Sequence, residues 1–252
     1  MSNYTIIIPT FNESRNIEDC INSILIKPNI IVVDSFSEDD TIKICNRLGV
    51  QVISNKFISH GNQITHALSF TKTDWVFVLD ADERFSEQLC QELDNLCFSG
   101  SFNAYRIRRI NYFGEFKICH GSWSKDFPVR FFNKNFCQYN DKRVHASLSC
   151  NGKVGLLSNS LYHYSYKNIE HYIRKIGRFS RGAAQDMYDI GKKTSPFKIV
   201  SRSLFRFIKS YIFLKGFKDG KYGFFIALLE SFYVALKYSM LLEMNIKSQK
   251  HK

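Results

Sequence analysis

Residues 75–82 read WVFVLDAD, five apolar residues followed at once by Asp80 and Asp82. A continuous apolar run of this length is typical of a strand that is buried on both faces of a sheet. Two carboxylates at the end of such a strand supply the oxygen ligands that Mg²⁺ and Mn²⁺ prefer and leave positions for phosphate oxygens. The alternative is an ordinary solvated turn, because Asp is common where strands end.

The region upstream of this strand alternates apolar runs with helical patterns. Strands are predicted over residues 4–9 (YTIIIP), 29–33 (NIIVV) and 50–53. Helices are predicted over residues 16–25 and 63–70. A third helix, ending at Leu48, follows a capping box of Ser37 and Asp40. This alternation predicts an α/β fold with a mostly parallel central sheet flanked by helices.

Acidic side chains fall at or just past the ends of three predicted strands: Glu13, Asp34 and the pair Asp80 and Asp82. Ligands in such folds bind at the carboxyl ends of the strands, so we expect these carboxylates to meet at one edge of the sheet. The layout is that of a nucleotide-binding domain. It lacks the Gly-rich phosphate loop of the dinucleotide and Walker types.

Beyond residue 100 the pattern changes. Short strands are predicted over residues 104–110, 129–133, 144–148 and 154–157. From about Asn168 the pattern is helical and stays so to the end. We therefore expect a main domain over residues 1–165 and a helical extension over residues 166–252.

The 252 residues are 44% apolar and 23% charged, which excludes disordered, collagen-like and disulfide-scaffold proteins. The net charge is +12. Residues 1–164 hold 17 basic and 17 acidic side chains, whereas residues 165–252 hold 18 basic and 6 acidic ones. The excess positive charge of the last third predicts attachment to an anionic partner.

Seven cysteines are scattered along the chain without a C-x-x-C pair. Their spacing predicts neither a zinc knuckle nor a disulfide framework, and their odd number argues against a secreted protein. The first residues have no basic segment followed by an apolar one. We therefore expect no signal peptide and a cytoplasmic location.

Residues 5–12 (TIIIPTFN), 31–40 (IVVDSFSEDD) and 75–84 (WVFVLDADER) resemble the inverting family 2 glycosyltransferases of the GT-A fold. Later segments, among them residues 105–113 (YRIRRINYF) and 121–132 (GSWSKDFPVRFF), resemble the lipopolysaccharide inner-core β-1,4-glucosyltransferases. The resemblance implies transfer of glucose, or a related hexose, from a UDP-sugar to a heptose of the lipid A–core, with Mg²⁺ or Mn²⁺.

The resemblance also implies the parts of the site. The donor half covers about residues 1–100 and the acceptor half about 101–165. The expected donor-binding residues are Pro9, Thr10, Asn12, Glu13, Asp34, Gln63, Asp80, Ala81 and Asp82. Asp34 would accept a hydrogen bond from the uracil or the ribose, and Asp80 and Asp82 would ligate the metal. A downstream histidine would complete the ligand set, with His163 preferred over His145.

Inverting transfer needs a base on the face of the sugar opposite the leaving UDP. Asp126 matches the acidic residue of the family at this point, and Arg130 would orient it or contact the diphosphate. The alternative is a surface ion pair of little energetic weight. Trp123 and His145 are expected to contact the acceptor, although a lone Trp is more often simply packed.

Three departures from the family pattern bear on activity. Ala146 stands where a Glu usually follows the Val-His pair, which raises the alternative of a catalytically impaired homologue. Residues 63–66 (QITH) lack a usual Arg, for which His60, Lys56 or His66 would have to substitute. Phe36 stands where a Gly is usual.

The tail carries its charge on one helical face. Arg202, Arg206 and Lys209 recur at i, i+4 and i+7, while apolar side chains occupy a different arc. This pattern predicts peripheral attachment to the anionic inner face of the cytoplasmic membrane. Residues 224–242 are apolar, but Glu230 and Lys237 favour an interfacial or packed helix over a membrane span.

Rival functions remain open at this point. The acceptor could be a capsular or polyprenol-linked glycan instead of the lipopolysaccharide core. A nucleotidyltransferase also uses strand-end carboxylates, but it would need a Gly-rich loop with a Lys near residue 12, which the sequence lacks. Nucleic-acid binding is the rival interpretation of the basic tail, and no RNA-binding motif accompanies it.

Overall fold

The computed structural model describes residues 3–26, 28–96, 101–140 and 148–250. The chain forms two compact units. The first unit contains residues 1–110 and 127–165, and the second contains residues 111–126 and 166–252. The segment 111–126, which the sequence pattern groups with the main domain, therefore lies in the same unit as the C-terminal helices.

The described strands in chain order are β1 Tyr4–Thr10, β2 Asn29–Asp34, β3 Gln51–Ser54, β4 Trp75–Val78, β5 Glu83–Phe85, β6 Ala104–Phe113, β7 Phe116–Lys117, β8 Val129–Asn133, β9 Cys137–Tyr139, β10 Leu148–Cys150 and β11 Val154–Tyr166. The described helices are α1 Ile17–Asn22, α2 Thr41–Arg47, α3 His60–Leu68, α4 Glu87–Asp94, α5 Ile169–Asp189, α6 Pro196–Ile208 and α7 Gly220–Lys250. A π-helical segment, Lys209–Phe213, follows α6, and 3₁₀ turns span Ser122–Ser124 and Gly216–Asp219.

The main sheet has the strand order β3-β2-β1-β4-β8-β6-β11-β5. The first four strands are parallel, with β1 between β2 and β4 and with β3 outside β2. Antiparallel strands then extend the sheet from β4 through β8 to β6, and β5 pairs antiparallel with β11. The predicted α/β fold with flanking helices is confirmed, but the central sheet is mixed and not mostly parallel, because its parallel part consists of four of the described strands.

Burial on both faces explains the continuous apolar runs of the parallel strands. Ile6 and Ile8 of β1 face one apolar cluster, which also contains Leu89 of α4. Ile7 faces the opposite cluster together with Ile64 of α3. Successive side chains of a strand point to opposite faces, so a strand covered on both sides needs an apolar residue at every position.

The predicted capping box at Ser37 and Asp40 is wrong. Helix α2 begins after Asp40, whose side chain makes no capping hydrogen bond. The Ser37 hydroxyl instead donates to Asp34 (2.6 Å), and the Asp39 carboxylate accepts from the Thr41 amide (3.0 Å). The polar residues that looked like a helix cap therefore organise the loop after β2.

Two other local predictions change in extent. The expected short strand over residues 154–157 continues as β11 to Tyr166. Residues 144–147 of the strand expected over 144–148 lie outside the described residues, and Leu148 begins β10. The helix expected at 63–70 begins at His60, since the Ser59 hydroxyl accepts from the Asn62 amide (3.1 Å) and caps it.

One cysteine pair was not foreseen. Cys137 of β9 and Cys150 of β10 face each other across an antiparallel pair and form a disulfide. The spacing of the cysteines along the sequence carries no signal for this bond. It arises because the register of the two strands sets the two side chains opposite each other.

In the second unit, two buried carboxylates connect segments that are distant in sequence. Asp219 accepts from the backbone amides of Cys119 (2.9 Å) and His120 (2.8 Å), and it lies 2.6 Å from His120 Nδ1. Glu230 of α7 pairs with Arg206 of α6 (2.7 Å) and accepts from the Ser122 hydroxyl. These contacts join the segment 111–126 to the helices within one unit.

Helix α7 belongs to a stretch, Gly216–Ser248, whose length and apolar composition would suffice to cross a membrane. Core helices of soluble proteins meet the same criterion, so this property alone assigns no location. Only 28% of its most apolar window is buried. Most residues of this window are therefore half-buried or exposed.

The loop after β2 adopts a backbone conformation that explains one departure from the family pattern. Phe36 has φ +61°, in the left-handed region that favours glycine. Its side chain is 60% exposed and gains no burial in return. Glycine is therefore favoured at this position because the backbone has a positive φ, which glycine adopts without steric strain.

We predict that Phe36→Gly raises the free energy of unfolding by roughly 0.5–1 kcal/mol, since the left-handed conformation costs an L-residue about 1–2 kcal/mol and Gly loses about 0.5–1 kcal/mol in backbone freedom. Urea denaturation measures the change. Phe57→Gly is the matched control, because Phe57 is similarly exposed and has no positive φ. Equal losses in both variants would contradict the role of the backbone at Phe36.

Candidate active site

The carboxyl ends of β1 and β2 meet through Asp34, which is fully buried. Its carboxylate accepts from the Thr10 hydroxyl (3.2 Å), the Ser37 hydroxyl (2.6 Å) and the Ser37 amide (2.8 Å). All these partners come from the two loops at this edge. Asp34 thus holds the edge of the predicted donor pocket together, and its contact with a nucleotide stays a prediction.

The loop after β1, which contains Asn12 and Glu13, is tied to the loop after β2. The Asn12 amide donates to Ser37 Oγ (2.8 Å), and its side-chain oxygen accepts from the Glu38 amide (2.9 Å). The Glu13 carboxylate accepts from Asn16 (2.6 Å). Asn12 has φ +56°, a conformation that Asn tolerates better than most residues. The two loops therefore form one connected rim beside Pro9.

The turn after β4 is closed by Glu83, which has 0% of its surface exposed. Its Oε2 accepts from the Asp80 amide (2.9 Å), and its own amide donates to the Asp80 carbonyl (2.9 Å). Its Oε1 pairs with Arg130 of β8 (2.8 Å) and Arg109 of β6 (3.1 Å). A carboxylate without contact with water needs such partners, and here they belong to three parts of the sheet.

Asp80 stands among cations. It pairs with Arg130 through one carboxylate oxygen, which also lies 3.8 Å from Arg109, and its other oxygen lies 3.9 Å from His60 Nε2. Burial by itself would raise the pKa of Asp80, but the charge of Arg130 outweighs it, followed by His60, which is protonated at the low pH where this carboxyl titrates, and by Arg109, so that the pKa lies well below its usual range. Asp80 is therefore ionised throughout the neutral range.

Of the three residues that could substitute for the missing Arg of the family pattern, His60 lies beside Asp80 (3.9 Å). Burial lowers the pKa of His60 below its ordinary value of about 6.5, so its ring is neutral at pH 7. The ring also meets that of Tyr139 at 6.3 Å. Of the alternatives, the ring of His66 packs on Phe70 and the side chain of Lys56 is exposed.

Asp82 meets His163, the histidine that the resemblance implied. Strand β5 pairs with β11 so that His163 stands opposite Glu83, and the Tyr164 amide donates to the Asp82 carbonyl (2.9 Å). His163 Nε2 consequently lies 3.5 Å from Asp82 Oδ1. Ser165 Oγ lies 3.0 Å from the other ring nitrogen, Nδ1, and favours an orientation that aims Nε2 at the carboxylate.

The donor set of Asp82 and His163 fits a divalent cation. A separation of 3.5 Å lets one oxygen and one nitrogen bind the same ion, and Mg²⁺ or Mn²⁺ on a nucleotide commonly has only one or two protein ligands. Among the described residues, no group of three or more His, Cys, Asp and Glu side chains could hold a metal. Phosphate oxygens and water commonly supply the remaining ligands of such an ion.

Two other donor-pocket residues lie close to this edge. Ala81 is buried, and its carbonyl accepts from Arg84 (2.9 Å), which braces the turn. Gln63 of α3 is buried and donates to the Asn55 carbonyl (3.0 Å). Within the described part of the chain, its side-chain oxygen has no hydrogen-bond partner.

The acceptor-side residues Asp126 and Trp123 belong to the second unit. The Asn111 side chain donates to the Trp123 carbonyl (2.6 Å) and to Asp126 Oδ2 (3.4 Å). The Trp123 ring packs on those of Tyr166 (5.3 Å) and Tyr172 (6.4 Å). His145 and Ala146 lie outside the described residues.

The three basic residues expected at the membrane are not equivalent. Arg202 and Lys209 are exposed, whereas Arg206 faces α7 and pairs with buried Glu230 (2.7 Å). Arg206 therefore already has an acidic partner within its own unit. Its predicted role at a lipid surface is untested.

The chain matches the family model described as Glycosyl transferase family 2 over residues 5–152, more than half of its length. It belongs to glycosyltransferase family 2. It is 30% identical over 255 residues to an uncharacterized glycosyltransferase of Rickettsia conorii, which covers 96% of this chain and 90% of that protein. It is also 23% identical to the lipopolysaccharide core biosynthesis glycosyltransferase LpsC of Rhizobium meliloti, over 89% of this chain and 86% of that protein.

The family assignment confirms the resemblance drawn from the sequence, including the likeness to lipopolysaccharide core enzymes. Solved structures match the glycosyltransferase only in part. Glucosyl-3-phosphoglycerate synthase from Mycobacterium tuberculosis, in complex with Mn²⁺, UDP and glucosyl-3-phosphoglycerate, covers 43% of this chain and 44% of its own, with 23% identity and a TM-score of 0.36. Mannosyl-3-phosphoglycerate synthase from Rubrobacter xylanophilus gives 24% identity, 43% and 41% coverage and a TM-score of 0.38. Likenesses at this level assign no site residue.

Sequence reasoning missed the roles of Glu83 and Arg109 in the glycosyltransferase. Glu83 was noted only as part of the motif after the strand, and Arg109 lies in an alternating strand where a charged residue is expected to face solvent. The only signal was an acidic residue directly after the Asp pair. Its importance comes from burial, which depends on strands far away in sequence.

We predict that Glu83→Ala lowers the free energy of unfolding by roughly 3–5 kcal/mol, because it leaves two guanidinium groups without their buried partner. Urea denaturation measures the loss. Glu83→Gln should lose less, since an amide oxygen still accepts from the Asp80 amide. Glu87→Ala, which removes an exposed carboxylate four residues away, should stay within about 0.5 kcal/mol. An unchanged free energy of unfolding in Glu83→Ala would contradict the proposed contribution of this residue to stability.

Proposed function

We propose that this family 2 glycosyltransferase transfers glucose, or a related hexose, from a UDP-sugar with inversion to a heptose of the lipopolysaccharide inner core. The pairing of Asp82 with His163 beside Asp80, at the carboxyl edge of the parallel strands, is the observation that carries the donor side of this proposal. The similarity to LpsC along most of both chains supports the acceptor class.

Mg²⁺ or Mn²⁺ is the proposed cofactor, held by Asp82 and His163. When bound, such an ion neutralises charge that develops on the departing diphosphate. The turn that Glu83 closes and the hydrogen bond from the Tyr164 amide to the Asp82 carbonyl would hold Asp82 in place. Asp80, already paired with Arg130, would attract the ion through its negative charge or would bind it as a further ligand.

The proposed base is Asp126, which would accept the proton of the attacking hydroxyl. Asn111 donates to its carboxylate and, through the same amide nitrogen, to the Trp123 carbonyl. This arrangement limits the rotation of Asp126 while leaving its carboxylate half-buried. A positioned and partly solvated carboxylate suits a general base for a sugar hydroxyl.

The proposed acceptor is lipid-linked, so we place the enzyme at the inner face of the cytoplasmic membrane. The basic second unit supports this location through its excess of positive charge.

Release of UDP from a panel of UDP-sugars tests the whole proposal. We expect turnover with UDP-glucose or a related UDP-hexose when a heptose-containing core acceptor and Mn²⁺ are present, and none in EDTA. The anomeric configuration of the product, read by NMR, reports inversion. Turnover only with capsular or polyprenol-linked acceptors would show that the acceptor is not the lipopolysaccharide core. No turnover with any donor, but a large gain in Ala146→Glu, would indicate an impaired homologue.

We predict that Asp82→Asn abolishes donor turnover and weakens Mn²⁺ binding while the fold stays intact, because an amide removes the negative charge that attracts the ion. Steady-state UDP release and manganese titration measure the two effects. Asp94→Asn, on the exposed surface of α4, is the control and should keep the wild-type rate. Full wild-type activity in EDTA would refute metal dependence.

We predict that Asp126→Asn lowers kcat by on the order of 10²–10⁴-fold and leaves the KM for the donor nearly unchanged, since a general base acts on the acceptor hydroxyl. Initial rates at varied donor concentration measure both constants. Asp186→Asn, half-buried on α5, serves as the control. A near-wild-type kcat would assign the base to another residue.

A further inference from the structure

Helix α6 has its apolar side facing outward. Phe197 is 80% exposed, and Val200, Leu204 and Phe205 are each more than half exposed. The side turned toward α7 carries Arg206, whose side chain is 37% exposed and pairs with the buried Glu230. A helix that packs on a protein core normally buries its apolar stripe, whereas α6 exposes these four apolar side chains together with Lys198 and Arg202.

The outward apolar side continues beyond α6. The ring of Phe207 meets that of Phe224 of α7 at 5.8 Å, and Tyr211 meets Phe224 at 5.8 Å and Phe217 at 6.3 Å. Phe224, Leu228 and Phe232 then follow at i, i+4 and i+8, all exposed. We call the combined surface the aromatic face, whose exposed members are Phe197, Val200, Leu204, Phe205, Ile212, Phe213, Phe217, Phe224, Phe225, Leu228 and Phe232.

The exposed charges of residues 196–230, which contain most of the aromatic face, are of one sign. Six cations of residues 196–230 are exposed: Lys198, Arg202, Lys209, Lys215, Lys218 and Lys221. The two acidic residues of the same stretch, Asp219 and Glu230, are buried and paired with His120 and Arg206. The contacts that hold the unit together thus bury both carboxylates of this stretch.

We infer that the aromatic face inserts into the interface of a bilayer that contains anionic phospholipid, with the six cations on the headgroups. The inference extends the proposed membrane location by naming the surface, and it does not depend on the sugar chemistry. An apolar face rimmed with cations is the pattern of interfacial helices. Arg206 pairs with Glu230, so the proposed membrane contact depends on the aromatic face and not only on Arg202, Arg206 and Lys209.

Other occupants fit the charges less well. A second copy of the chain on the same face would bring six cations against six, and like charges across an interface are repulsive. A spanning orientation of α7 would carry Glu230, Arg206 and Lys237 into the hydrocarbon core. RNA would also meet the cations, and the exposed phenylalanines offer rings on which bases could stack, but the aliphatic side chains of Val200, Leu204 and Leu228 would stay in contact with water.

Vesicle sedimentation tests the inference. Wild-type protein should bind vesicles of phosphatidylethanolamine and phosphatidylglycerol and bind pure phosphatidylcholine weakly. The triple variant Phe197→Ser, Leu204→Ser, Phe213→Ser should partition on the order of a thousand-fold less, because burying each of the three side chains changes an equilibrium about ten-fold. The matched control changes three exposed apolar residues of the first unit, Leu25→Ser, Phe136→Ser and Leu156→Ser, and should bind within about two-fold of wild type by the same burial argument.

A second variant separates insertion from adsorption. Lys198→Gln, Arg202→Gln, Lys209→Gln should lose most of the preference for phosphatidylglycerol. A tryptophan in Leu204→Trp should shift its emission to the blue on vesicle binding and be quenched by brominated acyl chains. Circular dichroism confirms that each variant is folded. Donor hydrolysis, measured as UDP release in water, should be equal in wild type and the serine triple variant, so a failure of catalysis is distinguishable from a failure of docking.

Each contrary outcome overturns the inference. Normal vesicle binding by the serine triple variant would show that the aromatic face is not the surface that contacts the bilayer. Self-association in light scattering that the serine triple variant abolishes, without vesicle binding by wild type, would assign the face to a second copy. Resistance of cellular protein to alkaline carbonate extraction would make α7 a spanning helix, and preference for an RNA oligonucleotide over anionic vesicles would replace lipid by nucleic acid.

Discussion

Glu83, a carboxylate without solvent exposure, organises the candidate site. It accepts from the backbone of Asp80 and balances Arg130 and Arg109, which come from two other strands. Breaking such a buried cluster is costly, because each remaining charge would lie in a medium of low polarity without a partner. The position of the Asp80–Asp82 turn is therefore set by the assembly of the whole sheet and not by the turn itself.

The antiparallel extension of the sheet adds the second half of the proposed metal site. The pairing of β5 with β11 places His163 beside Asp82, about eighty residues away in sequence. A shift of one residue in this register would turn the imidazole to the other face. The parallel half of the fold thus provides the acidic edge, and the antiparallel half provides the histidine.

In the second unit, buried carboxylates join segments of the chain and also change the charge of the surface. Asp219 and Glu230 join the segment 111–126 to the helices, and in doing so both carboxylates leave the surface. The exposed charge between residues 196 and 230 becomes entirely positive as a result. One set of ion pairs therefore supports both the packing of this unit and the electrostatics of its aromatic face.

The sequence by itself determined the α/β class, the parallel strands and the acidic residues at their ends, because a strand buried on both faces must be apolar at every position and polar groups then mark where it stops. It also pointed to His163 through a family resemblance. Only the tertiary structure decided that Ser37 serves Asp34 instead of capping a helix, that Cys137 meets Cys150, and that Arg130 pairs with Asp80 and Glu83. These contacts depend on strand register and on burial, which join residues that no local pattern connects. The same reason applies to α6, whose periodicity revealed an amphipathic helix but not that Arg206 pairs with Glu230 or that Phe197 and Phe205 are exposed.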